Sequence, residues 1–356
     1  MNKDSRGEGE TGIRGEWAGQ LFFSPRLPVS PSPHLPSSLP LVIVNPSSAG
    51  GATARAWPRM ASALREHFGP FNCVFTDMGG DGQRIAAREA AAGRRLIIAC
   101  GGDGTISEIA NGILASAAEP ELGILPSGTG GDFRRTLGIP SRTADAALCL
   151  KEGRTELIDV GRVEYLNRRG ELATRYFINV ASCGMGGEVV ARAKRDQPRW
   201  WAGVSSSFWQ GRATYAAAAL QTTLKFAKPT LAVSLDQKRE RRLVTANFCV
   251  ANARYFGGGM KIAPEANLSD GLFDVVAIGD LSALEILTNV HQLYLGTHLG
   301  LTNVHHAHAR RVSVRNVDDE KVLLEIDGEL VGTLPATFEI LPHALRVRVK
   351  EVSRES

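Results

Sequence analysis

Between residues 41 and 150 the chain alternates short unbroken apolar runs with longer segments whose apolar residues recur every three or four positions. Leu41–Val44, Asn72–Phe75, Leu96–Cys100 and Leu122–Leu125 have the length of buried strands, whereas residues 53–67, Gly82–Ala92 and Ile106–Leu114 carry the helical period. Strand, turn and helix in regular alternation predict a parallel sheet with crossover helices. From Thr155 the period drops to two. It predicts strands at Leu157–Val163, Tyr176–Ala181, Thr230–Leu235, Leu243–Ala251, Phe273–Ile278, Arg311–Val314, Val322–Ile326 and Ala344–Val349. Helices are predicted near 186–195, 208–224 and 281–295.

The expected fold class is therefore α/β, an N-terminal open Rossmann-like parallel-sheet domain followed by a mostly antiparallel, β-sandwich-like second domain. Residues 1–40, ending in a proline- and serine-rich stretch, are expected to be a disordered leader. The first domain is expected over 41–155 and the second over 156–340. A C-terminal strand and tail over 341–356 could pack back on the first domain.

Composition narrows the function classes. The 356 residues are 43% hydrophobic and 22% charged, with a formal charge of +4. No continuous basic stripe with interleaved aromatics is present, so no nucleic-acid partner is expected. The modest positive charge is compatible with visits to an anionic membrane surface. Five widely spaced cysteines, Cys73, Cys100, Cys149, Cys183 and Cys249, fit reduced core thiols and a cytoplasmic protein. No apolar run reaches transmembrane length, and Leu21-Phe22-Phe23 is too short for a signal-peptide core.

Candidate chemistry sits where strands end. Leu96–Cys100 runs into Gly101-Gly102-Asp103-Gly104-Thr105 and then a helix, an arrangement that points backbone N–H groups at an anionic ligand. Asp103 would repel such a ligand unless it holds a cation or a water network beside it. The turns at Asn45–Gly51 and Pro126–Phe133 repeat the motif, and several strand ends converging on one anion is the habit of open parallel sheets. Arg134 and Arg135 read equally as phosphate contacts and as solvated helix charges. In the second half, Asp270 either shapes a turn or contributes to a hard-cation site. Asp327-Gly328-Glu329 reads either as a bland hairpin or as a carboxylate pair that orients a hydroxyl. The segment containing Lys194, Arg195, Arg199, Trp200, Trp201, Phe208, Trp209, Arg212 and Tyr215 is either a lipid-facing rim or an interdomain or dimer helix. His298, His305, His306 and His308 lack the spacing of a structural zinc site and are expected in surface loops.

Together these motifs resemble the bacterial diacylglycerol kinase-like lipid kinases, which share a catalytic domain with diacylglycerol, sphingosine and ceramide kinases. The matching pieces run in family order from Leu41 to about Val349: VNPSSAGG, GGDGTISEIANGI, LPSGTGGDFRRTLGIP, Ile158-Asp159-Val160-Gly161, FGGGMKIAPEANLSDGLFDVV and IDGE. The resemblance implies ATP contacts at Asn45, Pro46, Ser47, Ser48, Gly50, Thr76, Gly101, Gly102, Asp103, Gly104, Thr105, Glu108, Gly128 and Thr129. It implies an acidic network of Asp103, Asp132 and Asp159 around catalytic Mg²⁺. A structural Mg²⁺ is implied at Asp270 with the backbone oxygens of Asn267 and Leu272. Glu329 matches the family's proton acceptor, with Asp327 as rival. Ser107 and Gly131 stand where the family commonly has Asn, which would remove two hydrogen-bonding amides from the site.

The implied reaction is ATP- and Mg²⁺-dependent phosphorylation of a lipid hydroxyl, with diacylglycerol giving phosphatidic acid. Sphingoid bases, ceramide or other lipids are alternative acceptors. NAD kinase, which shares GGDGT, and a non-catalytic nucleotide- or lipid-binding regulator are further alternatives. The expected setting is the cytoplasm with transient association at the inner membrane face, where the lipid substrate is the partner and a homodimer is allowed.

Overall fold

The computed structural model describes residues 39–116, 118–127, 130–195, 226–318 and 320–351. The expected leader before residue 39, the helix predicted near 208–224, and the aromatic and basic side chains from Lys194 to Tyr215 lie outside the described residues.

The four apolar runs form β1 (Leu41–Val44), β2 (Asn72–Phe75), β3 (Leu96–Gly101) and β4 (Glu121–Pro126), parallel and ordered β4-β3-β1-β2. Every residue of β1 and β3 is buried, which explains their lack of alternation. The crossovers are α1 (Ser48–His67), α2 (Asp81–Ala91), α3 (Asp103–Leu114), α4 (Asp132–Thr136) and α5 (Thr143–Glu152). In α1 the helical conformation is regular only after Gly51, because Ala49, Gly50 and Gly51 all have positive φ.

The second half begins with β5 (Arg154–Asn167), β6 (Leu172–Phe177) and β7 (Val180–Gly184), then α6 (Met185–Arg195). It continues through β8 (Thr230–Leu235), β9 (Arg241–Val244), β10 (Asn247–Ala251), the short pair β11 (Tyr255–Phe256) and β12 (Met260–Lys261), and β13 (Phe273–Ile278). After α7 (Ala283–Leu295) come β14 (Val304–Ala309), β15 (Arg311–Asn316), β16 (Leu323–Ile326) and β17 (Glu329–Val349). The layers β14-β13-β10-β7-β16 and β9-β8-β15-β17-β5-β6 enclose one apolar core. In it Phe177 stacks on Phe273 at 5.5 Å and meets Phe338 edge-on at 6.1 Å. Among the described residues no helix is long and apolar enough to cross a membrane.

Several sequence expectations need correction. The strand predicted over Tyr176–Ala181 is two strands broken at Ile178-Asn179, and Leu243–Ala251 breaks at Thr245-Ala246. His305, His306 and His308 lie in β14, not in a loop, and His298 is buried with its Nε2 3.0 Å from the Ile262 carbonyl oxygen. Four cysteines are buried, but Cys73 is exposed.

The boundaries drawn at 155/156 and 340/341 both fall inside strands, β5 and β17. β17 is 21 residues long and pairs along its length with β5, while its end pairs in parallel with β4 at Arg346 and Val347. Its register breaks between Leu341 and Leu345. Before the break Phe338 and Ile340 belong to the second core, and after it Leu345 and Val347 belong to the first. One 15-stranded sheet thus runs through both halves.

Gly161 shows how tightly the crossing is packed. It lies opposite Phe177, and a Cβ there would fall 2.1 Å from that ring. Gly161→Ala is expected to lower stability by about 2 kcal/mol, within the range for overpacking a core, and a thermal or denaturant melt checks it. An unchanged midpoint would mean that the Phe177 ring has room to retreat.

Candidate active site

The turn between β3 and α3 anchors the site. Gly102 is extended and Asp103 opens the helix, so the first N–H groups of α3 lack helical partners. The Asp103 carboxylate accepts the backbone N–H groups of Asp132 and Phe133, both at 3.2 Å, at the start of α4. The charge that looked anomalous inside a phosphate turn is therefore met by a second turn's backbone. Gly130 permits this approach, since a Cβ there would sit 2.6 Å from Asp103 Oδ2.

Side chains draw the other strand ends to the same place. Asn45 Nδ2 donates to Thr105 Oγ1 at 2.9 Å, while Asn45 Oδ1 accepts the Ser47 N–H at 3.1 Å. Pro46 and Ser48 are half-buried in that loop, and Ser47 and Gly50 are exposed. Buried Thr53 shares a 2.7 Å hydroxyl contact with Ser127 beyond β4. Glu108 accepts the N–H groups of Gly80 and Gly82, at 2.9 and 3.1 Å, and so fixes the loop after Thr76, itself buried at the end of β2. Its carboxylate thus holds protein backbone. Gly128 and Thr129 lie outside the described residues.

Arg135 donates to Asp132 Oδ1 at 2.7 Å, whereas Arg134 is turned onto the Ile139 carbonyl at 2.8 Å. Both line a cavity of ≈ 210 Å³ with Gly101, Gly102, Asp103 and Gly131. Asp132 also accepts the Gly258 N–H at 2.8 Å, linking the nucleotide-side turns to the Gly257–Gly259 loop. Burial, assisted by the Asp103 charge, pushes the Asp132 carboxyl above the usual range. Gly131 takes φ 67°, a left-handed conformation that Asn also tolerates, so the exchange keeps the backbone of the turn.

The second half brings its acids to the same place in different ways. Asp327, at φ 49°, accepts Ser107 Oγ–H at 2.9 Å and the N–H groups of Ile178, Asn179 and Val180 at 3.2, 3.0 and 3.2 Å. The corner that breaks the predicted 176–181 strand exists to supply these donors. A carboxylate offers about four lone-pair positions, and here every one is taken. Burial raises the Asp327 carboxyl, and these donors with Arg175 oppose that rise. The sequence treats Asp327 and Glu329 as rivals for one role, and their hydrogen-bond surroundings differ. Ser107 lacks the amide of an Asn, and its hydroxyl instead bonds the Asp327 carboxylate.

Glu325 grips the same turn from below, accepting from Ser182 Oγ at 2.7 Å and from the Gly328 N–H. Glu329 keeps a partly exposed side chain and pairs with Arg175 at 2.9 Å. Its Oε1 lies 3.9 Å from where a Cβ of Gly104 would stand. The far-downstream acid therefore borders the glycine turn.

Asp159 does not join Asp103 and Asp132 by hydrogen bonds. It is fully buried, and its oxygens accept the N–H groups of Gly271 at 2.7 Å and His343 at 2.8 Å, at the crossing of β5 and β17. Asp270 is exposed in the adjoining turn and accepts the Leu272 N–H at 3.0 Å; Asn267 caps the same turn through Ser269. A cleft of ≈ 780 Å³ there is lined by Asp236, Asp270, Arg310, Arg311, Glu339 and His343.

Sequence reasoning missed Asn111 and Arg175. Asn111 binds the Tyr176 backbone at both N–H and carbonyl, each at 3.0 Å, and fastens α3 to β6. Its signal was available, a buried amide among Ile106, Ile109, Ala110 and Ile113 on the apolar face. Arg175 gives no such signal, since only the pairing of β6 with β5 brings it to Glu329.

Comparison with known proteins agrees with this architecture. The diacylglycerol kinase catalytic domain matches residues 40–163, and the YegS C-terminal NAD kinase beta sandwich-like domain matches residues 184–349. A Mycobacterium tuberculosis protein named diacylglycerol kinase is 32% identical over 311 residues, 86% of this chain and 93% of its own length. A Bacillus subtilis protein of the same name is 31% identical over 264 residues, 74% of this chain and 80% of its own. A solved diacylglycerol kinase structure from Bacillus anthracis str. Sterne shares the fold at 21% identity and a TM-score of 0.62, covering 88% of this chain and 97% of that one. The chain thus belongs to the diacylglycerol kinase family of lipid kinases.

Proposed function

We propose that the enzyme transfers the γ-phosphoryl group of ATP, with Mg²⁺, to the free hydroxyl of diacylglycerol, giving phosphatidic acid. The observation that carries this reading is the Glu329 carboxylate beside Gly104, so that a carboxylate and the N–H groups of a helix start border one space. The acceptor follows the names of relatives more than 30% identical. The lipid is met at the inner face of the membrane by an otherwise cytoplasmic protein.

The chain's own groups divide the work. The Gly101–Thr105 turn and the start of α3 present N–H groups to the phosphates. Asn45 holds Thr105, and with it the turn, in place. Glu329 accepts a hydrogen bond from the lipid hydroxyl and takes its proton as the phosphoryl group moves in line. Arg175 fixes the orientation of that carboxylate. Asp103 and Asp132 fit Mg²⁺: both are hard oxygen donors, each oxygen keeps a second lone pair, and their mutual repulsion is relieved by a cation. When bound, Mg²⁺ neutralises charge on the transferred group. Asp327 is full and serves as the anchor of the turn.

Radiolabelled ATP offered with micelles of diacylglycerol, ceramide or sphingosine, or with NAD, tests the reading. Label is expected in phosphatidic acid; label in NAD alone, or ATP binding without transfer to any lipid, overturns it. Glu329→Gln is expected to lower kcat by about 10²- to 10⁴-fold, the usual span for losing a general base, with an unchanged melting midpoint. Asp327→Ala, in contrast, is expected to lose about 2–4 kcal/mol of stability by stranding buried donors. The two melts separate the roles. Asn45→Ala is expected to raise the KM for ATP roughly tenfold, the effect of losing one hydrogen bond of about 1.4 kcal/mol, with little change in the KM for lipid.

A further inference from the structure

We propose that Asp274, His306 and His308 form a binding site for a divalent first-row transition metal of the zinc class, on the sheet edge formed by β13 and β14. The three ligand atoms lie within 4.8 Å of one another. His306 Nε2 is 2.8 Å from Asp274 Oδ1, and His308 Nε2 is 3.4 Å from that same oxygen.

Backbone register sets this convergence. His306 and His308 are two apart on one strand and so share a face, and Asp274 stands directly opposite His308 in the antiparallel ladder. Val276 and Val304, on the same face, pack in an apolar cluster, so the ligands rise from a rigid surface. The sequence could not show the site. Its third ligand comes from a strand about thirty positions upstream, and strand pairing alone joins them.

The chemistry favours a soft-to-borderline cation. Asp274 is only 3% exposed, and a buried carboxylate needs compensation. Among the described residues neither lysine nor arginine pairs with it; its ionic partners are the two imidazoles. Around zinc, bonds of about 2.0–2.2 Å place tetrahedral ligand atoms roughly 3.3 Å apart; the two carboxylate–imidazole separations, 2.8 and 3.4 Å, bracket that value, and all three ligand atoms lie within 4.8 Å of one another. Two imidazole nitrogens select zinc-like metals over Mg²⁺, which takes oxygen ligands. Among the described residues β14 is the last strand of its layer, and His308 is half-exposed, so the metal has an entry path and room for water as a further ligand. Each imidazole offers its Nε2 lone pair; a neutral ring then carries its proton on Nδ1, and a protonated ring releases one proton on binding. The metal would cross-link the edge strand to its neighbour.

The test uses the untagged full chain, stripped by chelator, then titrated with Zn²⁺ against a chromophoric competitor and analysed for metal after gel filtration. One zinc per chain is expected, not displaced by excess Mg²⁺, with a rise in melting midpoint on the order of 5 °C. His306→Ala and His308→Ala should each weaken binding by more than the ~10–100-fold typical of losing an outer-shell partner. His291→Ala, at an exposed position of α7 outside the cluster, should change nothing. Because the His308 ring is half-exposed, its removal leaves the fold intact, and melts of the metal-free variants verify this. Absence of zinc uptake, uptake unchanged in the His306→Ala/His308→Ala double variant, or displacement by Mg²⁺ overturns the site. Kinase activity does not enter these readouts, so the result stands apart from the substrate assignment.

Discussion

The buried Asp327 carboxylate is the constraint on which the site depends. It collects one hydroxyl from α3 and three backbone N–H groups from the β6–β7 corner. Those donors belong to the nucleotide side and to the second domain, and the carboxylate itself sits in the β16–β17 turn. Three segments distant in sequence are thereby held to one point. Glu329 follows two residues later, and its position beside Gly104 is inherited from that anchor. The cost of leaving several buried donors without an acceptor is what keeps the geometry fixed.

A second carboxylate does the same for the domains as wholes. β5 and β17 pass from one core into the other, and Asp159 sits at the crossing with both oxygens on backbone N–H groups. The register break in β17 between Leu341 and Leu345 contains His343, one of those donors. The sheet can change direction there because the polar groups freed by the break are taken up. Two continuous paired strands form a stiffer connection than a linker, so relative motion of the two sides must come from bending the sheet.

Much of this was legible in the sequence, and the failures have identifiable causes. Short apolar runs located β1, β3 and β4 of the first half, because parallel strands buried on both faces have no alternative pattern, whereas β2 at the edge is half-exposed. GGDGT and IDGE each fall at a turn, and the structure sets Glu329 beside Gly104. Composition and spacing could not separate Asp327 from Glu329, since two acids flanking a glycine look alike until the donors around them are known. The 176–181 break was invisible for the same reason: Ile178 and Asn179 leave the ladder to serve a carboxylate nearly 150 positions away. Nor does period two reveal that Ala344–Val349 continues one strand from Glu329, as Pro335 and Pro342 argue locally against it. The histidines of β14 read as polar, and so as a loop, because an edge strand carries few apolar positions to announce itself.

The acids differ less in kind than in how many of their lone pairs the protein has already claimed. Asp327 has all of them committed, and Asp159 has each oxygen committed to backbone. Asp103 accepts one N–H per oxygen and keeps capacity for another partner. Glu329 is tied on one oxygen by Arg175, and its other oxygen points toward Gly104. Availability thus rises from Asp327 and Asp159 through Asp103 to Glu329. The difference matters for chemistry in general, since a saturated carboxylate can hold a turn but has no lone pair left for another partner, whereas one tied on a single oxygen is both oriented and available.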